Sequence, residues 1–244
     1  MVMVEQSSLY RTLECRPDTY YGWYHQGNKL RSQNNLMDAL FSYEKALEYY
    51  PDDYFCWYYH GKVLEELGKY GQAIDSFRQA CKIQPENYWA WYSAGYILQE
   101  KIGNNQESID FLRIALENNP SDYWCTYRLG KAYFYQKKYI KALDFFHQAL
   151  KIKPDDYWSY YRCGQCRQKL KQLDLAKKNY LKALQIKPHD YWSIASLISI
   201  FSSQNLFRDV ISYGQQLDKT DNIDYDIEAK ILSAHLIVGQ NSEN

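Results

Sequence analysis

The chain has 244 residues, and its 29 basic and 29 acidic side chains cancel to a formal net charge of zero. That balance excludes a wholly basic nucleic-acid binder and an acidic disordered tail, while an apolar share of 46% suffices for an ordinary core in one or two domains. Set against only 11 glycines and 6 prolines, the 26 tyrosines, 7 tryptophans and 9 phenylalanines point to helices with wide aromatic surfaces rather than a turn-rich sandwich.

Residues 1–16 read as an N-terminal segment, expected to form a helical cap. Glu5, Gln6, Ser7, Ser8 and Arg11 break up any apolar stretch there, so no secretory signal is expected. The most apolar run, Ile194 to Phe201, carries Ser196 and Ser199 and falls far short of the roughly 20 residues that span a bilayer. The expectation is a soluble, cytoplasmic chain with no membrane insertion. Cys15, Cys56, Cys81, Cys125, Cys163 and Cys166 form no disulfide framework, and reduced thiols are expected.

From residue 17 onward the prolines at 17, 51, 85, 120, 154 and 188 recur every 34 or 35 residues, which marks a repeat protein. Each repeat predicts two antiparallel helices. The residue before the first helix is Thr19, Asp53, Asn87, Asp122, Asp156 or Asp190, every one able to cap exposed backbone N–H groups. Gly27, Gly61, Gly95, Gly130 and Gly164 sit mid-helix, where glycine costs about 1 kcal/mol against alanine, so close approach of the second helix is implied. Asn34, Gly68, Gly103 and Asn205 mark the turns, and each closing proline stops a second helix by lacking a backbone donor. Repeats are placed at 20–53, 54–87, 88–122, 123–156, 157–190 and 191–222, within an array over 17–222. The third carries one extra residue around Ile102–Gln106, assigned to the turn between its helices. The sixth departs from the pattern, with Ile198 for the glycine, Gly214 for an aromatic, Leu217 for an alanine and no proline. It is read as a terminal repeat, sealed by a capping helix over Tyr225–Val238 in a C-terminal segment, 223–244.

Trp57, Gly61, Leu64, Ala73, Phe77, Ala80 and Pro85 fall on the positions of the tetratricopeptide repeat (TPR) pattern, and the chain resembles that family over about residues 17–220. The Tyr- and Trp-rich wording is similar to bacterial, cyanobacterial-like repeats, among which some serve in assembling photosynthetic complexes. The resemblance implies an all-α, right-handed superhelical solenoid of antiparallel helix pairs whose first helices line a concave groove. By position, Tyr24, Tyr58, Tyr92, Tyr127 and Tyr161 form one row of that groove and Asn28, Lys62, Tyr96, Lys131 and Gln165 another, with Lys169 facing the same way. A third row is Tyr21, Phe55, Trp89, Trp124, Trp158 and Trp192. Its rings either line the groove or fill the seam between repeats, and packing in the seam is the favoured expectation; the tyrosine row is expected to be open.

Residues 120–188 hold 15 basic and 5 acidic side chains, a basic belt between acidic flanks. Lys137, Lys138, Lys141, Lys177, Lys178 and Lys182 are expected outside the groove, a solvated face, though such a belt would also steer an acidic partner segment. The chaperone-tail clamp of some family members is not matched, because Tyr24, Tyr59 and Ser93 stand at its lysine, asparagine and arginine positions. Cys163-Gly-Gln-Cys166 is a lone CxxC, too little for zinc, and the five histidines are scattered. No catalytic residue, metal or cofactor is expected. The function expected is a non-enzymatic protein-interaction scaffold or adaptor binding a partner peptide, with an assembly-factor role as one setting. Single-stranded RNA binding by repeats 4 and 5 is one alternative, opposed by the neutral charge, and structural self-association is another.

Overall fold

Each first helix begins where a short polar side chain turns back on the backbone. In the computed structural model, which describes residues 17–217 and 223–240, Thr19, Asp53, Asn87, Asp122, Asp156 and Asp190 accept hydrogen bonds from the backbone N–H groups of Gly22, Cys56, Trp89, Cys125, Ser159 and Ser193. Satisfying these orphan donors fixes the helix start, a contribution of about 1 kcal/mol each. In the first five repeats each second helix ends two residues before a proline, and the intervening residue is extended: Tyr50 has φ −138° and ψ 90°, Lys153 φ −132° and ψ 90°. The proline ring forbids the helical conformation there.

The helices fall into two compact units, Met1–Pro120 and Ser121–Asn244. The first unit contains α1 (Tyr20–Ser32), α2 (Leu36–Tyr49), α3 (Tyr54–Glu66), α4 (Tyr70–Ile83), α5 (Tyr88–Ile97) continued by a π turn (Leu98–Ile102), and α6 (Asn105–Asn118). The second contains α7 (Tyr123–Tyr135), α8 (Tyr139–Ile152), α9 (Tyr157–Lys169), α10 (Leu173–Ile186), α11 (Tyr191–Ser203), α12 (Phe207–Gly214) and α13 (Tyr225–Gln240). Among the described residues there is no strand, and no helix is long and apolar enough to cross a membrane. The cap expected over residues 1–16, and the tail after residue 240, lie outside the described residues.

Within each unit the core is the interface between paired and successive helices. Ala39, Ala73, Ala142 and Ala176 are fully buried, as are Tyr43, Phe77, Phe146 and Tyr180 one turn later. Burying each such ring contributes roughly 2–3 kcal/mol. The mid-helix glycines make room for these rings: a Cβ on Gly61 would come within 2.9 Å of Phe77, and one on Gly130 within 2.8 Å of Phe146.

The third repeat corrects the expectation that its extra residue lies in the turn. The residue is absorbed earlier, in the π turn at Leu98–Ile102, where the N–H of Asn104 reaches back to the carbonyl of Leu98 at 2.8 Å. A wider helical turn takes in one residue without changing the loop that follows. At the other end, α12 is short and Gly214 seats Ile231 of α13, whose side chain a Cβ would meet at 2.9 Å. That contact gives Gly214 the packing role that the mid-helix glycine has in the other repeats, so α13 docks through Ile231, Ile227 and Ala234.

Candidate partner-binding face

Two aromatic residues open every first helix, and they part ways. The first of the pair is tyrosine in all six repeats, Tyr20, Tyr54, Tyr88, Tyr123, Tyr157 and Tyr191, and Tyr20, Tyr54, Tyr123 and Tyr157 turn toward the next repeat of their unit. Tyr54 and Tyr157 are buried, Tyr54 beside the backbone of Ala90 and Tyr157 beside the cap carboxylate Asp190. Burial, reinforced by Asp53, Asp156 and Asp190 in turn, pushes the phenols of Tyr20, Tyr123 and Tyr157 far above the ordinary tyrosine range.

The second of the pair stays outside. Tyr21, Phe55 and Trp89 in the first unit are 71%, 50% and 59% exposed, and Trp124, Trp158 and Trp192 in the second are 54%, 46% and 58% exposed. This row therefore does not fill the seam as expected, because the preceding tyrosine already does. Each outer ring stands edge-on to its tyrosine, with centroids 4.9 Å apart for Tyr157 and Trp158 and 5.0 Å for Tyr123 and Trp124. Such edge-to-face pairs hold the exposed ring upright at little further entropic cost.

The tyrosine row expected to be open is drawn inward. Tyr24, Tyr58, Tyr92 and Tyr127 are half-buried and Tyr161 is only 7% exposed. Where the core residue of the hairpin is aromatic they lean on it, Tyr58 on Phe77 at 5.7 Å, Tyr127 on Phe146 at 5.6 Å and Tyr161 on Tyr180 at 5.7 Å. Within each unit these rings lie deeper than the outer row.

The polar row is tied up locally to different degrees. Asn28 accepts a 2.8 Å bond from the Tyr43 hydroxyl, Lys62 pairs with Glu65 at 2.5 Å, and the Lys131 ammonium lies 5.8 Å from the Tyr135 ring centre. Tyr96 is half-buried and Lys169 exposed. Gln165 joins two neighbours, accepting from Arg162 at 2.8 Å and donating to the Tyr161 hydroxyl at 2.9 Å. Arg162 does not stand out in the sequence, because Arg128 occupies the same position one repeat earlier and no motif surrounds either. Nor do the seam tyrosines, although their identity in six of six repeats was the available signal.

The first helices of the second unit, α7, α9 and α11, contain no aspartate or glutamate but carry Arg128, Lys131, Arg162, Arg167 and Lys169. On the second helices, Lys177 pairs with Asp174 at 2.9 Å. The CxxC thiols are fully buried, Cys166 being pushed up to about 12 by desolvation, and no metal-binding group of three or more side chains occurs among the described residues.

Tetratricopeptide repeat models match residues 42–75, 124–156 and 159–190, and a further TPR repeat model matches 61–101. The chain belongs to the tetratricopeptide repeat family. No curated protein matches the sequence of this TPR chain. Among solved structures, the C-terminal part of a TPR repeat-containing protein from Cytophaga hutchinsonii superposes with a TM-score of 0.74 at 18% identity, covering 93% of this chain and 94% of that one. YrrB, a TPR protein with an unusual peptide-binding site, gives 0.68 at 24% identity over 76% of this chain and 95% of its own. PilW, a widely conserved type IV pilus biogenesis factor, gives 0.66 at 17% identity over 87% and 98%. At these identities the likeness establishes the TPR fold.

Proposed function

We propose that this TPR protein is a non-enzymatic adaptor that holds a segment of a partner protein on the first-helix face of its repeats, in the service of assembling a multiprotein complex. The observation that carries the reading is the row of open aromatic rings, one per repeat, each braced edge-on by a buried or half-buried tyrosine. Exposed, pre-ordered rings supply large apolar area and lose little rotamer freedom on binding, which is the character of interface hot spots. The half-buried tyrosine row adds hydroxyls for hydrogen bonding. The peptide-binding site of YrrB and the biogenesis role of PilW lend support from the same fold. RNA binding is less favoured, because most lysines of the belt lie on second helices and turns, where they cannot follow a strand laid along the aromatic row.

The test is affinity capture from a lysate with the wild-type chain and a Trp124→Ala/Trp158→Ala variant of unchanged helical circular dichroism, with and without nuclease. A protein retained by the wild type, indifferent to nuclease and lost with the variant is the expected result. Identical capture by both chains would overturn the reading, and nuclease-sensitive capture would replace it with the RNA alternative.

A further inference from the structure

Arg162 on α9 is a half-buried cation that the fold leaves incompletely partnered. Its Nη1 donates to Gln165 Oε1 at 2.8 Å and its guanidinium lies 5.6 Å from the centre of the Phe134 ring, while its Nε–H is buried and has no acceptor. The Tyr127 hydroxyl is a second neutral hydrogen-bond partner, and Tyr135 and Tyr161 lie close by. Arginine stays charged at every accessible pH and its Nε always carries a hydrogen, so no tautomer or protonation state removes the deficit. Among the described residues no carboxylate pairs with Arg162, and none is carried by α7, α9 or α11. A guanidinium partly withdrawn from water without a counter-charge is costly, and an anion laid against its exposed edge would lower that cost.

We infer that Arg162 seats a side-chain carboxylate of an acidic partner segment lying across the first helices of the second unit. The inference rests on the partner-segment reading above and names the chemistry that this part of the face would select. A carboxylate matches the planar fork of an arginine, and the bond is charge-assisted. Trp158 stands one turn before Arg162 on the same helix, and Trp124 and Trp192 repeat its position on α7 and α11. Open apolar rings thus flank the cation on both sides. A segment using them continues past Arg162 in both directions, so the acid is an internal aspartate or glutamate with apolar neighbours rather than a chain terminus. Lys169, exposed in the last turn of α9, adds attraction for the same partner without fixing its register.

The experiment is fluorescence anisotropy of the full chain with two labelled ten-residue peptides, acetylated and amidated at their ends, and a ten-nucleotide uridine RNA. One peptide alternates Glu/Asp with Leu/Phe; the other replaces every acid by Gln or Asn. The acidic peptide is expected to bind on the order of tenfold or more tighter than its amide counterpart. Arg162→Gln, checked for unchanged helical circular dichroism, should abolish that difference and leave amide-peptide binding unchanged, whereas Trp158→Ala should weaken both peptides. Equal weakening of both peptides by Arg162→Gln would overturn the carboxylate seat while leaving the partner-binding face standing. Failure of the wild type to bind the acidic peptide, or Arg162-dependent binding of the RNA in its place, would also overturn it. Only indifference of both peptides to Trp158→Ala would count against the face itself.

Discussion

Gly164 lies under the ring of Tyr180 so closely that a Cβ on the glycine would come within 2.6 Å of the ring edge. Tyr180 cannot retreat, since it is fully buried and its hydroxyl donates to Gln168 Oε1 at 2.9 Å. Gly164→Ala is therefore expected to destabilise the protein by about 1–3 kcal/mol in urea unfolding, through overpacking. At Gly71, in the first turn of α4, a Cβ would have nothing within 4 Å, so Gly71→Ala should be neutral or add up to about 1 kcal/mol through helix propensity. Equal responses at the two sites would refute the packing account.

A second stability difference sits in the turns between paired helices. Gly68 and Gly103 take φ of 73° and 80° there, whereas Lys137 and Lys171 are held at 60° and 62° in the corresponding turns. The left-handed conformation costs a residue with a Cβ roughly 1–2 kcal/mol. Lys171→Gly should accordingly raise the unfolding free energy by roughly 0.5–1 kcal/mol, the gain being reduced by the greater entropy of glycine in the unfolded chain. A fall in melting temperature on this substitution would show that the lysine side chain contributes more than the turn costs.

The helix pairing, the capping residues and the close approach at the mid-helix glycines were legible in the sequence because each recurs at a fixed offset and each has one physical explanation. The partition of the two aromatics that open each first helix was not. Tyr157 and Trp158 are neighbours about 100° apart on the helix, and hydrophobicity alone sends either into the seam. Their variation does separate them: the first position is tyrosine six times, and in three of those it faces the cap carboxylate of the next repeat, while the open position accepts Tyr, Phe or Trp. The π turn at Leu98–Ile102 was illegible for a different reason. One inserted residue can widen a helix or lengthen a loop, and composition does not decide between them. Arg162 does not stand out in the sequence because what singles it out is a charge held by neutral partners alone, which only the packed fold reveals.

His60 connects pH to stability in the first unit. Its ring lies between Trp57, Ser76 and Glu44, with Nδ1 at 2.9 Å from the Ser76 hydroxyl and Nε2 at 3.7 Å from Glu44. Burial lowers its pKa below the ordinary 6.5, and Glu44 only partly opposes this. The unfolded chain then binds more protons than the folded one just below about pH 6.5, so stability must fall as the solution is acidified through that range. His147, also lowered by burial, acts in the same direction. Urea midpoints measured at pH 7.5 and 5.5 should therefore drop on acidification, and His60→Gln should shrink the drop. An unchanged drop would remove His60 as its source.

The cysteines give the sharpest test of how closed the repeats are. Cys56, Cys81, Cys125, Cys163 and Cys166 are all buried, and desolvation pushes the thiols of Cys56, Cys81, Cys125 and Cys166 up to about 12, with Cys163 raised further by Cys166 beside it. Only a thiolate attacks a disulfide reagent, so at pH 8 these side chains are both inaccessible and in the unreactive form. In a Cys15→Ser background the folded protein should react with an aromatic disulfide reagent at the rate of local opening alone, and guanidinium should release all five thiols at once. The same burial predicts that added zinc leaves the melting temperature unchanged despite the CxxC spacing of Cys163 and Cys166, since two desolvated thiols on one helix cannot complete a tetrahedral site. Rapid labelling of the native chain, or a zinc-dependent rise in melting temperature, would mean that α9 opens far more readily than its packing allows.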